Sequence, residues 1–197
     1  MPARFYRIKD EVRILGLDDG PFHRTDKDVL IVGTIFRGGR WVDGIMSTRV
    51  LVDGLDSTEK VIDLVLKCRF KDLRVIMLDG LAFGGFNLVD IHRLSEETQK
   101  PVIVVVRDMP DFKEIKNALK NLPDSELRWS LIEKAGKPIQ VETKLGKFIH
   151  MQFAGIVEEQ AVEIVKLSAT RSMLPEPIRV AHLIARGVTT GESKGKA

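Results

Sequence analysis

Two apolar runs in the chain each end on an acidic residue backed by glycine: Arg13-Ile14-Leu15-Gly16-Leu17-Asp18-Asp19-Gly20 and Arg74-Val75-Ile76-Met77-Leu78-Asp79-Gly80. An uninterrupted apolar run is the pattern of a strand covered on both faces, so the chain is expected to build a sheet sandwiched between helices. A carboxylate at the exposed end of such a strand is held where solvent, substrate and metal can reach it. If both strands lie in one sheet, Asp18 and Asp79 could meet despite their distance in sequence. Such a pair suits a divalent cation, because Mg²⁺ and Mn²⁺ prefer oxygen ligands. Asp-Gly after a strand is also an ordinary turn, with Asp bonding local N–H groups and Gly supplying positive φ.

The length of 197 residues suits one domain with room for a sizeable core. Hydrophobic residues make up 44% and charged residues 30%, a balance that belongs to soluble globular proteins and argues against a fibrous or disordered chain. The apolar stretches are too short to span a bilayer, and Met-Pro-Ala-Arg-Phe-Tyr-Arg lacks a signal-peptide core, which leads to the expectation of a cytoplasmic protein. The single cysteine, Cys68, has no internal partner for a disulfide and reads as a packing residue. A net charge of +3 permits nucleic-acid binding without requiring it.

The order of elements is readable along the chain. Val12 to Asp18 is a first strand. Val29 to Phe36 and Trp41 to about Val52 form a hairpin around Arg37-Gly38-Gly39-Arg40. Asp56 to Phe70 reads as a helix with Val61, Ile62, Val65 and Leu66 on one side, and a fourth strand ends at Asp79. Asn87 to Gln99 reads as a helix, Pro101 to Val106 as a fifth strand and Asp111 to Leu122 as another helix. The resulting expectation is an α/β fold with a ribonuclease H-like mixed five-stranded sheet, a β-β-β-α-β-α-β core with helices on both faces. Strands one and four lie side by side in that arrangement. Leu127 to Ile132, Ile139 to Thr143 and Phe148 to Phe153 read as short added strands, and Glu158 to Thr170 and Pro177 to Arg186 as C-terminal helices. Residues 1–187 are read as one domain and 188–197 as a small, polar, disordered tail.

Three blocks resemble endonuclease V, a metal-dependent nuclease with a ribonuclease H-like fold that cuts deaminated, inosine-containing DNA or RNA. Gly16-Leu17-Asp18 resembles its Gly-Val-Asp. Leu78-Asp79-Gly80 followed by Pro101 to Arg107 resembles its Asp-Gly strand and its Pro-Thr-Ile-Gly-Val-Ala-Lys strand. Glu159-Gln160-Ala161-Val162 and Leu174-Pro175-Glu176-Pro177-Ile178-Arg179-Val180-Ala181-His182 resemble Glu-Thr-Ala-Val and Leu-Pro-Glu-Pro-x-Arg-x-Ala-His. Leu17-Asp18-Asp19-Gly20-Pro21-Phe22 and Val52-Asp53-Gly54-Leu55-Asp56 are similar to a largely archaeal branch of the same superfamily with no assigned function.

The resemblance implies Mg²⁺ or Mn²⁺ bound by Asp18 and Asp79, with a third carboxylate before the first long helix, where Glu59 or Asp56 is available. Asp56-Ser57-Thr58-Glu59 is equally a capping box, which explains both acids by helix-start N–H groups. Asp19 and Glu158 are secondary ligand candidates, Glu158 or Glu159 replacing a late metal-proximal residue that aligns with Ala154. Arg107 takes the place of a catalytic-region lysine. A guanidinium there could clamp a phosphate but could not act as a base. His92 shares a helix face with Leu88 and Ile91 and reads as a packing residue. Where the family carries a Tyr-Pro-Gly wedge, this chain has Val52-Asp53-Gly54, and an anionic Asp53 cannot fill a gap in a base stack, so inosine specificity is not expected. Two classes of function follow: a metal-dependent nuclease acting on nucleic acid, or a non-catalytic module that keeps the fold and binds nucleic acid or protein.

Overall fold

The computed structural model describes residues 7–144 and 146–193. Its elements run β1 (Arg13–Asp19), β2 (Asp28–Arg37), β3 (Trp41–Leu51), α1 (Ser57–Leu66), β4 (Val75–Asp79), β5 (Ala82–Phe83), β6 (Asn87–Leu88), α2 (Ile91–Thr98), β7 (Val102–Val106), α3 (Phe112–Leu119), α4 (Ser125–Ala135), β8 (Ile139–Lys144), β9 (Lys147–Ala154), α5 (Glu158–Ser168) and α6 (Glu176–Thr190). Seven strands form one mixed sheet in the order β3-β2-β1-β4-β7-β9-β8. β1, β4 and β7 run parallel, while β2, β3, β8 and β9 join by antiparallel pairing.

The apolar runs are continuous because alternate residues enter two different cores. Leu15, Leu17, Ile76, Leu78, Val102 and Val104 face the layer that contains Val61, Val65 and Leu94 of α1 and α2. Ile14, Val75, Met77, Ile103 and Val105 face Ile164 of α5 and Ile178 of α6. A third, smaller cluster joins Leu88 to Leu119 and Ile132 beneath α3 and α4.

The sheet has seven strands rather than five, because β8 and β9 extend it from the β7 edge instead of decorating it. Leu127 to Ile132, expected as a strand, lies within α4. Its buried positions Arg128, Ile132 and Ala135 are spaced i, i+4, i+7, which is the helical period. The helix expected from Asn87 begins only at Ile91, where the Asp90 carboxylate caps the N–H groups of His92 and Arg93. Asn87 is instead in the small β5–β6 hairpin. Its amide accepts from Ser57 N–H at 2.9 Å and donates to the Leu51 carbonyl at 2.9 Å and to Asp56 at 2.6 Å. The expected capping box consequently does not form: Asp56 makes no side-chain bond to α1 and accepts from Leu51 N–H and Asn87. Helix α6 runs to Thr190, so residues 188–190, expected in the tail, are helical, while 194–197 lie outside the described residues.

Candidate metal centre at the ends of β1 and β4

Leu17 pairs with Leu78 in the parallel β1–β4 ladder, and the next residue on each strand is an aspartate. Register therefore sets Asp18 beside Asp79. A third group arrives from α6. The aligned face Ile178, Ala181 and Ala185 of that helix is fully buried. A Cβ on Gly16 would lie 2.3 Å from the Pro177 carbonyl carbon, so only glycine lets the start of α6 sit this close to β1. Thr34 fixes the same contact by donating to the Pro177 carbonyl at 2.6 Å. Glu176, buried at the helix start, pairs with Arg179 at 2.7 Å and accepts from Arg171 N–H. One turn beyond Ile178, His182 places Nδ1 2.8 Å from Asp18 Oδ2.

Asp18, Asp79 and His182 each offer a ligand atom, and these atoms lie within 4.8 Å of one another. Burial pushes the Asp18 carboxyl up from its ordinary value, against the opposing effect of the His182 bond and charge. Asp79 is pushed up to about 7, first by burial and then by the Asp18 charge, with His182 and Arg107 partly offsetting both. The bond to Asp18 raises His182, and both aspartates add to that shift. Asp19 stands at about 6, again mainly through burial, although its Oδ2 accepts the Gly84 N–H at 2.6 Å. Two desolvated carboxylates facing one another are costly without a cation between them. Two carboxylate oxygens suit Mg²⁺ or Mn²⁺, and the imidazole nitrogen shifts the donor set toward Mn²⁺ and other transition ions.

The structure brings Asp18 and Asp79 together, keeps Arg107 close enough to act on Asp79 electrostatically, and sets Asp19 beside them. Glu59 does not join them: its carboxylate is ion-paired with Arg93 of α2 on the surface. Asp56 is occupied by Leu51 and Asn87. Glu158 is exposed, and it follows β9 at the far end of the sheet, because Ala154 pairs with Val102 at the start of β7 and the carboxylates lie where the parallel strands finish. His92 bonds the Lys134 carbonyl through Nε2 at 3.0 Å, a structural contact. His182 belongs to a block quoted for its resemblance but carries no assigned role in the sequence reading. The available signal is its place one turn after the buried Ile178 on a helix started by proline.

The segment that replaces the wedge is held firmly against the glycine loop after Asp79. Asp53, at φ 50°, donates its N–H to the Gly84 carbonyl at 2.8 Å, and its carboxylate accepts the Phe86 N–H at 2.8 Å. Arg128, 1% exposed, donates to the carbonyls of Asp53, Gly54, Phe86 and Pro123. Behind this loop lies a cavity of about 250 Å³ whose lining includes Gly80, Phe86, Val106, Pro110, Phe112 and Gln152.

The mixed sheet with helices on both faces places the molecule among α/β proteins with the endonuclease V fold. The likeness includes the crystal structure of Ciona intestinalis endonuclease V in complex with an inosine-containing 24mer DNA, with a TM-score of 0.54 and 17% identity, covering 86% of this chain and 82% of that one. The chain belongs to the Endonuclease dU family, whose model matches residues 10–189. It is 56% identical over 196 residues to a UPF0215 protein of Methanothermobacter thermautotrophicus, covering 98% of this chain and 95% of the relative. A crystal structure of a protein of unknown function from Archaeoglobus fulgidus matches with a TM-score of 0.81 and 40% identity, over 89% of this chain and 97% of that one.

Proposed function

We propose that the chain is a divalent-metal-dependent endonuclease that hydrolyses a phosphodiester bond beside a deaminated base in nucleic acid. The observation that carries this reading is the convergence of Asp18, Asp79 and His182 ligand atoms within 4.8 Å. These three residues would hold Mg²⁺ or Mn²⁺, which when bound makes water a better nucleophile and stabilises charge on the phosphate oxygens. Arg107, at the end of β7, would clamp a phosphate oxygen, a role that suits a group with fixed positive charge and paired donors. Gly84 and Gly85 pack against Val29 and Asp53, which holds the loop beside Asp79 in place. The cavity behind them would receive a base turned out of the stack, its apolar walls packing on the ring and Gln152, whose Nε2 donates to the Gly136 carbonyl, offering its amide oxygen to the polar edge.

The family description supports deoxyuridine as the first base to test, and the firmly held Val52-Asp53-Gly54 segment argues against an inosine wedge. The test is a cleavage panel of deoxyuridine-containing, inosine-containing and undamaged DNA and RNA, single-stranded and duplex, with and without Mn²⁺ or Mg²⁺. Metal-dependent cutting directed by deoxyuridine is the expected result. A folded protein that binds these substrates and cuts none of them under any metal condition contradicts the nuclease reading.

A further inference from the structure

At the pole of the sheet opposite the carboxylates, two neighbouring cavities of about 410 and 300 Å³ share Asp72 and Arg74 as lining residues, so together they form one groove. Its cations are Arg7, Lys9, Arg13, Lys71, Arg74 and Lys100, against the two carboxylates Glu11 and Asp72. The acids are outnumbered: Asp72 is ion-paired with Arg13, and Glu11 is exposed and 3.9 Å from Arg37. Among the described residues, no salt bridge joins a carboxylate to Arg7, Lys9, Lys71 or Lys100. The fold also fixes part of this charge. Arg13 lies over the Phe70 ring at 4.6 Å and bonds Asp43 at 2.8 Å, and Lys100 Nζ donates to the Leu73 carbonyl at 2.8 Å. Burial lowers the Lys100 pKa, and the charges of Arg74 and Lys71 lower it further against an opposing effect of Cys68, so Lys100 stands in a positive field.

We propose that this cationic groove holds a second stretch of nucleic-acid backbone, separate from the stretch engaged at Asp18 and Asp79. A groove of two joined cavities, with four cations that no carboxylate among the described residues pairs, matches a row of phosphates better than a single oxyanion, since a nucleic-acid strand presents one charge about every 3.4 Å. Arg13 and Asp18 lie at opposite ends of β1, five strand steps or about 16 Å apart, so a short oligonucleotide at the carboxylates does not reach around to the groove. A long or bent duplex does. The proposal rests on the nucleic-acid reading of the site, and it makes binding depend on length while leaving the chemistry alone.

The test uses Lys9→Glu/Lys71→Glu, two exposed positions outside the candidate centre. Affinity for a long undamaged duplex is measured across a salt series in EDTA, and cleavage of a short deoxyuridine-containing oligonucleotide is measured separately with Mn²⁺. The variant is expected to bind the long duplex at least tenfold more weakly at low salt. Its log–log salt slope should be shallower by about two, close to one per phosphate contact removed, with cleavage of the short substrate unchanged. Unchanged long-duplex affinity and slope in a variant with wild-type circular dichroism and melting overturns the proposal. So does a groove that serves free phosphate only, which would appear as inorganic phosphate raising the wild-type melting temperature and not the variant's, with both binding DNA equally. If neither protein cuts anything but the slope difference persists, the groove stands and the nuclease reading alone falls.

Discussion

Asp79 combines a carboxyl pushed up to about 7 with a neighbour, Asp18, that is raised as well. In the unfolded chain Asp79 loses its proton near 3.8 and in the metal-free fold near 7, so between these values the folded state binds more protons. The stability linked to this group is fully present below about 4 and falls as pH rises through about 7. His182, raised above 6.5 by Asp18, acts in the same direction: its contribution is present below 6.5 and lost as pH rises through its folded value. Denaturant melts in EDTA should therefore show stability falling from pH 4 to pH 7, and Asp79→Asn should flatten that slope and raise the melting temperature at neutral pH. A variant with the wild-type pH slope would contradict the desolvated carboxylate pair. Gly16 makes a second claim at this scale. A methyl at that position meets the Pro177 backbone, and Gly16→Ala should cost about 1–3 kcal/mol of stability through overpacking. It should also weaken metal binding, because the contact that seats His182 is displaced; urea denaturation beside a metal titration measures both.

At the scale of elements, the site depends on which helix end meets which strand. Helix α4 reaches the centre only indirectly, through the four carbonyls that Arg128 holds in the segments after β3, before β6 and at its own start. Arg128→Met leaves those buried acceptors without donors and should cost about 3 kcal/mol or more. Hydrogen exchange at Asp53 to Gly54 and Gly84 to Phe86 should rise with it, and unchanged exchange there would show that the clamp does not hold the loop. The parallel strands were legible in the sequence because both faces are covered, which gives short, continuous apolar runs of strand length rich in β-branched residues. Helix α4 was not, because Leu127 to Ile132 is short and mixed, and its burial pattern follows Arg128, a charged residue that no apolar count includes. Asp56-Ser57-Thr58-Glu59 takes up neither the capping role nor the ligand role that the resemblance implied, because the partners that hold Asp56 and Glu59, Asn87 and Arg93, lie on other elements.

For the whole molecule, β1 to β4 adjacency is enough to bring Asp18 and Asp79 together, so this half of the candidate site was readable from topology. The third member was not, because His182 meets Asp18 across 164 residues and only through the close seating of α6 on Gly16. The same arrangement places the carboxylates at one pole of the sheet and the cationic groove at the other, giving the chain two separate surfaces from a modest net charge of +3. No helix among the described residues is long and apolar enough to cross a membrane. The proposed metal centre consists of Asp18, Asp79 and His182 rather than Asp18, Asp79 and Glu59. Isothermal titration of Mn²⁺ into the wild type, Asp79→Asn, His182→Ala and Glu59→Gln tests it most directly. Binding in the wild type and in Glu59→Gln, lost or weakened at least tenfold in the other two, is the predicted result. Wild-type affinity in folded Asp79→Asn and His182→Ala, or loss of binding in Glu59→Gln alone, would contradict it.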